Sequence, residues 1–323
     1  MQKMFKRMLS RKIMVATLAL FTVGIIYLMP NKETLDYPIQ NKSLEYVYTN
    51  TLETVYLLDV NDYVAKAEIM GCDCTPVETA RDAIQGLIIG GEKEHVIPNG
   101  FRSLIPSGTE IKNLELKDGI LTINFSKELL DINEKYEEKM LEAIIYTLTS
   151  IDGIDKVIVQ VEGEILDKLP NTSKSIPTVL DRSFGINKIY DLTTTMNVDS
   201  YTLYYVSKYN DYEYYVPVTK YVNKGKNDKI KVIIDELSSS PIYEDNLMSY
   251  VNANVSLIDY SLDQDTLKLN FNDSIFSDST SENILEEVVY TISLSVFDNY
   301  PVQEVVFLVN NKEIYKNSLK NLE

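Results

Sequence analysis

The alternation of apolar and polar residues in this chain occurs twice in the same form. The stretch LTINF, residues 121–125, returns as LKLNF at residues 267–271, about 145 residues later. A period of two places the apolar side chains on one face of a β-strand and the intervening side chains on the other. We expect each Phe to anchor a core, and Asn124 and Asn270 to satisfy backbone groups where the chain leaves the strand.

The elements before these strands also match. Each copy begins with a predicted β-hairpin that turns at Asn-Asp-Tyr, residues 61–63 and 210–212, and Pro217 predicts an edge strand. An amphipathic helix follows in both copies. The first begins with a capping-box sequence at residues 75–78, and the second has Ile and Leu at helical spacing over 230–237.

The elements after these strands match as well. A second helix is predicted over 141–148 and 285–292, and a closing strand over 156–161 and 304–309. The order ββαββαβ therefore occurs twice, each time in enough residues for a core of its own. The predicted fold class is α+β, with two tandem copies of a small ββαββαβ domain after an N-terminal transmembrane helix.

The repeat and the composition of the connecting segments define the predicted domains. A polar, Pro-containing segment joins the copies, but residues 179–191, VLDRSFGINKIYD, are too apolar for a mere spacer and are expected to dock on one domain. The predicted boundaries are a basic cytoplasmic tail at 1–12, a transmembrane anchor or signal at 13–29, a linker at 30–43, the first domain at 44–165, a linker at 166–195 and the second, diverged domain at 196–318.

The apolar run at residues 13–29 contains no charged residue and follows five basic residues. It is short for a bilayer core of roughly 30 Å, but it favours a single-pass anchor. A cleaved secretory signal is the alternative, although no A-x-A site follows the run. Both predictions leave the N-terminus in the cytoplasm and the C-terminal domains outside, at the cell membrane. No cysteine near the end of the run supports a lipid anchor.

The charge of the chain argues against one class of ligand. After residue 12 the sequence has 26 basic and 48 acidic residues, a net charge of −22. A surface of this sign repels phosphate groups, so no nucleic acid partner is expected.

The residues with catalytic or metal-binding chemistry are few. His95 is the only histidine and lies in a Gly-rich loop with Glu92 and Glu94; a solvated loop histidine is favoured over a metal ligand. Cys72 and Cys74 predict a pair of thiols or a disulfide at the entry to a helix, in preference to a redox role. No nucleophile-elbow, phosphate-binding or dinucleotide-binding glycine pattern occurs. We therefore predict no enzyme, no catalytic residue, no metal and no cofactor.

Tyrosine is unusually frequent, with 23 residues. Many lie in the second predicted hairpin, where cross-strand aromatic pairs are the structural explanation. The functional alternative is a stacking surface for a protein partner or a glycan. The candidate contacts are Tyr204, Tyr205, Tyr212 and Tyr214.

The first copy resembles the GerM-domain family of sporulation and spore-germination proteins. The resemblance rests on ARDAIQGLI from Ala80, LIPSGTEIKNLELKDGILTINFSKEL from Leu104 and IIYTLTSIDGIDKVIVQVEG from Ile144. The second copy resembles a diverged member, with LKLNFND and VVYTISLSVFDNYPVQEVVFLVNN but no counterpart of residues 105–109. The segment LDRSFGIN, residues 180–187, is similar to what precedes the second domain in two-copy members.

The resemblance implies a non-enzymatic envelope protein whose domains assemble side by side into rings or with other envelope proteins. It implies no catalytic residues. The expected function is a membrane-anchored cell-envelope scaffold that acts in sporulation or germination through self-assembly or partner-dependent oligomerisation. A peptidoglycan-binding or other glycan-binding envelope module is the alternative, with the Tyr-rich hairpin as its contact.

Overall fold

The structure is a computed structural model that describes residues 18–22, 52–72, 74–225, 228–239, 246–278 and 282–318. Residues 50–323 form one compact unit that contains both repeats. The predicted membrane segment, residues 13–29, lies outside the described residues except for a short helical piece at 18–22. Within the described parts of the chain, no helix is long and apolar enough to cross a membrane.

The first repeat consists of two sheets and two helices. The three-stranded sheet has the order β2-β1-β3, and the four-stranded sheet has the order β4-β5-β6-β7. Helix α2 connects the parallel strands β5 and β6. The elements are β1 (Leu52–Asp59), β2 (Val64–Met70), α1 (Pro76–Leu87), β3 (Phe101–Arg102), β4 (Ile111–Lys117), β5 (Ile120–Phe125), α2 (Glu137–Leu148), β6 (Lys156–Val161) and β7 (Glu164–Ile165).

The second repeat has the same plan. A three-stranded sheet has the order β8-β10-β9, and a four-stranded sheet has the order β11-β12-β13-β14. Its elements are β8 (Ile189–Asp191), β9 (Val198–Tyr209), β10 (Tyr212–Asn223), α3 (Lys229–Ser238), β11 (Leu257–Asp263), β12 (Thr266–Phe271), α4 (Glu286–Asn299), β13 (Glu304–Val309) and β14 (Lys312–Ser318). The mixed α/β class and the tandem repeat predicted from the sequence are confirmed.

The helix and strand signals explain why these elements begin and end where they do. Helix α1 begins after Thr75, whose backbone N–H donates to Oε2 of Glu78 at 3.0 Å, as the capping-box spacing predicts. Phe125 and Phe271 are completely buried on the core faces of β5 and β12. The alternating pattern therefore identified the correct face of both strands.

Each repeat has two strands more than the sequence predicts, so the order is ββαβββαββ in the first and βββαββαββ in the second. One extra strand, β3 or β8, completes the three-stranded sheet, and the other, β7 or β14, completes the four-stranded sheet. Strands β7 and β14 return antiparallel beside β6 and β13. The tight turns before them require positive φ angles, which Gly and Asn tolerate better than most residues: 52° and 88° at Glu162 and Gly163, and 52° and 63° at Asn310 and Asn311.

The two repeated asparagines stabilise these unpredicted turns. Oδ1 of Asn124 accepts a hydrogen bond from the backbone N–H of Gly163 at 2.9 Å, and Oδ1 of Asn270 accepts one from Asn311 at 3.1 Å. Each Asn therefore satisfies a backbone group as predicted, but not where the chain leaves its own strand, which was the predicted place. The acceptor belongs to one strand of the sheet and the donor to the turn that follows a neighbouring strand.

The segment between the repeats packs against both of them. Its apolar residues Leu169, Ile176, Leu180 and Ile186 join the core of the first repeat, and its strand β8 pairs parallel with β10 of the second. The expectation that this segment docks on one domain was therefore too narrow. Pro217 also differs from its prediction as an edge residue, because β10 lies between β9 and β8 in the sheet order. Strand β8 pairs only with residues 220–222. Pro217 lacks a backbone N–H, but within the described residues no strand lies opposite it on that side to require one.

Candidate functional site

The four tyrosines proposed as a contact surface lie on β9 and β10, and most of them face inward. Tyr204, Tyr205 and Tyr214 expose 1%, 3% and 2% of their surface, whereas Tyr212 exposes 46%. A partner that approaches from solvent therefore meets Tyr212 alone of the four. Tyr204 and Tyr214 contact the first repeat instead, and these contacts define the junction between the repeats.

Tyr204 lies at a buried ion pair in this junction. Its hydroxyl donates to Oδ2 of Asp298 at 2.8 Å and lies 3.2 Å from the hydroxyl of Tyr56 in the first repeat. Arg182, from the connecting segment, forms an ion pair with Asp298 and lies 4.9 Å from the ring centroid of Tyr146. The Asp298 side chain is only 7% exposed, so its charge depends on these partners. The ion pair and its aromatic neighbours connect the first repeat, the connecting segment and the second repeat.

Tyr214 forms the second contact between the repeats. Its hydroxyl donates to Oδ2 of Asp59 at 2.8 Å, and the ring of Phe101 packs edge-on against it with centroids 4.7 Å apart. Oδ1 of Asp59 accepts the backbone N–H groups of Asn61 and Tyr63, both at 2.8 Å. Burial raises the pKa of Asp59, and the hydrogen bonds to its carboxylate oppose that shift. The first hairpin turn is thus tied directly to the second hairpin.

Asn187 forms the third contact and joins strands from the two repeats through one side chain. Its Oδ1 accepts the backbone N–H of Val64 at 2.9 Å, and its Nδ2 donates to the carbonyls of Val64 and Pro217, each at 2.7 Å. The φ angle of Asn187 is 45°, a left-handed conformation that Asn adopts more readily than most residues. An amide side chain is needed here because the contact uses an acceptor and a donor at once.

Glu142 supports Asn187 from helix α2. Its Oε2 accepts the backbone N–H of Asn187 at 3.0 Å, and its Oε1 lies 3.6 Å from Nζ of Lys188. Burial raises the pKa of Glu142 to about 7, although Lys188 and the Asn187 N–H oppose the shift. This carboxyl group therefore titrates near neutral pH, at a point where the repeats meet.

A cleft of about 270 Å³ opens beside the Arg182 ion pair. The described residues that line it include Ser150, Asp152 and Asp155 but neither histidine nor cysteine. The Ser150 hydroxyl lies 2.7 Å from the carbonyl of Thr147 and 3.3 Å from that of Thr54, so these hydrogen bonds engage backbone acceptors and not a general base.

The residues considered for metal binding lie elsewhere. His95 is exposed, and its Nδ1 lies 2.9 Å from the carbonyl of Glu92. The potential ligand atoms of Glu53, Cys72 and Asp82 lie within 4.8 Å of one another. However, Cys72 forms a disulfide with Cys74. Of the two alternatives predicted from the sequence, a pair of thiols or a disulfide, the structure has the disulfide. The ammonium group of Lys93 lies 2.7 Å from Oδ2 of Asp82, so this cluster already contains a cation and does not favour a metal.

Sequence reasoning missed the residues that form the junction. No motif distinguishes Arg182, Asn187 and Glu142 from other polar residues. Asp298 lies in the last turn of an apolar helix, where a solvated side chain is the ordinary expectation. The one available signal was the apolar character of residues 179–191, which indicated docking without indicating a partner. Their role depends on contacts across more than 90 residues of sequence, as between Tyr204 and Asp298.

Three comparisons relate this chain to known proteins. The family model described as "Germane: Sporulation and spore germination" matches residues 46–167 and 202–315. The chain is 32% identical over 271 residues to spore germination protein GerM of Bacillus subtilis, which covers 82% of this chain and 73% of that protein. It is also similar to the solved tandem GerMN domains of the sporulation protein GerM from Bacillus subtilis, with 30% identity and a TM-score of 0.75. That match covers 81% of this chain and 92% of the solved one.

These matches confirm the resemblance inferred from the sequence. The family model covers both repeats, including the diverged second one. The structural match extends over both repeats together. This chain belongs to the Germane family of sporulation and spore germination proteins.

Proposed function

We propose that this chain is a non-enzymatic scaffold of the cell envelope that acts in sporulation or spore germination. The description of its family and the names of its relatives support the process. The hydrogen bond of the Ser150 hydroxyl in the junction cleft to a backbone carbonyl, and not to a general base, supports a binding role. The Arg182–Asp298 junction carries the proposal, because it holds two repeats as a single unit that offers partners a fixed surface.

A membrane anchor at residues 13–29 is part of this proposal. The uncharged run after five basic residues supports a single-pass topology with both repeats outside the cytoplasm. Fusing alkaline phosphatase after residue 323 tests it, since this enzyme is active only after export. An active fusion that stays in the membrane fraction is expected. A fusion released in soluble form would favour the cleaved signal.

Assembly requires an accessible surface, and strand β11 offers one. It is an outer strand of its sheet, and Ile258 and Leu262 expose 54% and 55% of their surface. The other outer strand, β14, has Lys312 and Lys316 along it, and charged residues of this kind discourage strand addition. We propose that copies of this chain associate through β11.

Light scattering of residues 31–323 over a wide concentration range tests self-assembly. Discrete oligomers are expected, and replacing Ile258 and Leu262 with Lys should leave monomers without lowering the melting temperature. Lys312→Glu with Lys316→Glu on β14 is the matched control. A monomer at every concentration would contradict self-assembly and would direct attention to other envelope proteins as partners.

The sporulation role is tested in the source organism. Deleting the gene should lower the number of heat-resistant spores, and the intact gene should restore it. A gene encoding Arg182→Leu should restore it less well than one encoding the exposed control Lys312→Gln. Normal spore numbers and normal germination in the deletion strain would contradict the proposed process.

A peptidoglycan-binding or other glycan-binding module is the second candidate. The observation that favours it is Tyr212, whose exposed ring stacks on Tyr214 with centroids 6.2 Å apart. Retention on purified cell wall that falls with Tyr212→Ala, but not with the equally exposed control Tyr315→Ala, would favour this function. Equal retention of both variants would remove Tyr212 as a glycan contact.

A further inference from the structure

Cys72 and Cys74 form a disulfide at the start of helix α1. Cys72 is half-buried, whereas Cys74 is exposed and directly precedes Thr75, the N-cap residue. The two residues thus differ in exposure. Cys74 is therefore the one that a thiol from solvent meets first.

A buried carboxyl group lies behind this disulfide. Glu53 on β1 is 6% exposed, and its Oε1 accepts the backbone N–H of Cys72 at 3.0 Å. Its Oε2 has no hydrogen-bond partner within the described part of the chain. A carboxyl oxygen of Glu53 lies within 4.8 Å of Sγ of Cys72, a distance that one water molecule bridges.

Gly71 makes this position of Glu53 sterically feasible. A Cβ at residue 71 would lie 2.1 Å from Cγ and 2.2 Å from Cδ of Glu53, so any other residue there would displace the carboxyl group. The local sequence Gly-Cys thus places the acid next to the disulfide.

The surroundings of Glu53 favour its protonated form, which is the form that can donate a proton. Burial raises its pKa, and the neighbouring charge of Asp82 on α1 adds to the shift. The Cys72 N–H and the ammonium group of Lys93 oppose the shift. A larger fraction of this carboxyl group is therefore protonated at a given pH than of an ordinary Glu.

We propose that Cys72 and Cys74 form a thiol–disulfide exchange site that oxidises dithiols, with Cys74 as the attacked sulfur and Glu53 as the proton donor to Cys72. In the first step a substrate thiolate attacks Sγ of Cys74. The Cys72–Cys74 bond breaks, its electron pair goes to Sγ of Cys72, and the Glu53 carboxyl protonates that sulfur. A mixed disulfide between Cys74 and the substrate results.

In the second step the other thiol of the substrate attacks its own sulfur in the mixed disulfide and releases Cys74 as a thiolate. The second thiol loses its proton to solvent as it attacks. The substrate leaves as a disulfide, and the chain has gained two electrons, with Cys72 as a thiol and Cys74 as a thiolate, while Glu53 regains its proton from solvent. The N-terminus of α1, a helix of 12 residues, stabilises the Cys74 thiolate through the partial positive charge of its free N–H groups. The two cysteines thus have different roles, as the leaving sulfur and the attacked sulfur.

The first experiment uses dithiothreitol as the dithiol probe. The rate at which dithiothreitol reduces the oxidised full-length chain is measured from pH 5 to 9. Each rate is divided by the concentration of dithiothreitol thiolate at that pH. In the wild type this rate should fall as Glu53 ionises with rising pH. Glu53→Gln should lower it at least about tenfold at pH 5 and abolish the pH dependence, since a general acid is lost.

Two control variants separate proton donation from packing and from neighbouring charges. Glu68→Gln replaces an exposed carboxyl group on β2 and should change nothing. Asp82→Asn removes the other carboxyl group that faces Glu53 and should keep the pH dependence, shifted to lower pH. Equal rates and equal pH profiles for Glu53→Gln and the wild type would overturn the role of Glu53.

A second measurement does not depend on the folding of the Glu53 variant. In Cys72→Ser, the alkylation rate of Cys74 by iodoacetamide is followed against pH. The pKa of this thiol should lie below the ordinary value of about 8.5, because the helix N-terminus favours the thiolate. A thiol pKa at or above that value, together with a reduction rate no faster than that of the unfolded chain, would overturn the exchange site itself.

Discussion

Glu142 illustrates how one buried residue makes this protein sensitive to pH. Its carboxyl group is 2% exposed, and its neighbours are Lys188, Glu138 and Lys139. The shift of its pKa from 4.5 to about 7 means that ionising it costs the folded state about 3 kcal/mol. The Asn187 N–H favours the ionised form, but the cost of burying the charge is larger, so the folded state is more stable when Glu142 holds a proton.

The sign of the pH effect follows from proton binding. Between the unfolded pKa of 4.5 and the folded pKa of about 7, the folded state binds more protons than the unfolded state. The contribution of Glu142 to stability is thus present at pH 4.5 and lost as the pH rises to about 7. Glu142→Gln should remove this decrease, because Gln still accepts the Asn187 N–H without carrying a charge.

Urea unfolding at several pH values between 4.5 and 8 measures the free energy of unfolding that this prediction concerns. Glu134→Gln changes an exposed carboxyl group and is the control, which should follow the wild type. Parallel pH profiles for wild type and Glu142→Gln would contradict the assignment of the titration to Glu142.

Arg182 is the residue whose loss should affect the junction most. Arg182→Leu leaves the carboxylate of Asp298 buried without its cation, which should lower the free energy of unfolding by about 3 to 5 kcal/mol. Lys312→Gln breaks an ion pair in which both side chains are more than 60% exposed, and it should change stability by less than about 0.5 kcal/mol.

A double variant tests the reason for the Arg182 effect. Arg182→Leu with Asp298→Leu removes both charges and should recover much of the loss, since no unpaired carboxylate remains. Denaturant unfolding of the two single variants and the double variant gives the coupling energy. Additive losses would show that packing, and not the unpaired charge, dominates.

At the scale of elements, the closing hairpin of each repeat depends on one asparagine. Asn124 accepts one hydrogen bond from its turn, while Asn270 both accepts from the Asn311 N–H and donates to the Asn311 side chain at 3.0 Å. Asn124→Ala should therefore cost about 1 kcal/mol, and Asn270→Ala should cost more. Asn113→Ala, an exposed position on β4, is the matched control.

Hydrogen exchange measured by NMR distinguishes a local effect from a global one. Asn124→Ala should accelerate exchange of the Gly163 amide, and Asn270→Ala that of the Asn311 amide, with little change in the opposite repeat. Uniform acceleration across both repeats would contradict a role confined to the closing hairpins.

At the scale of the whole molecule, the three junction contacts make the repeats depend on one another. We expect the wild-type chain to unfold in one transition, because neither repeat keeps its buried polar groups paired when the other is lost. Asn187→Gly retains the left-handed backbone but removes the contacts to Val64 and Pro217. It should separate unfolding into two transitions.

Differential scanning calorimetry measures this coupling. Asn210→Gly is the control, since Asn210 also has a positive φ of 55° but lies exposed in a hairpin turn. A single unchanged transition in Asn187→Gly would show that the Arg182 and Tyr214 contacts suffice to couple the repeats.

The sequence by itself determined the tandem repeat, the family and the order of two helices and five strands in each repeat. Periods of two and of 3.6 residues are local properties of the backbone, so they indicate which residues share a face, as Phe125 and Phe271 do. The sequence also suggested that Asn124 and Asn270 satisfy backbone groups, but it did not identify their partners, because the donors Gly163 and Asn311 are 39 and 41 residues away. Strands β3, β7 and β8 were missed because strands of two or three residues show no periodicity, and β14 was missed because its sequence is mostly polar.

Only the tertiary structure decided what covers each face. In β9, seven consecutive residues from Tyr201 to Ser207 are buried, although alternation suggests one buried face and one exposed face. Tyr204 and Tyr214, which the sequence suggested as surface contacts, are therefore junction residues, because they pack against the first repeat. Arg182 and Asp298 acquire their role in the same way, since the stabilisation of a buried charge depends on which distant residue the fold brings within reach.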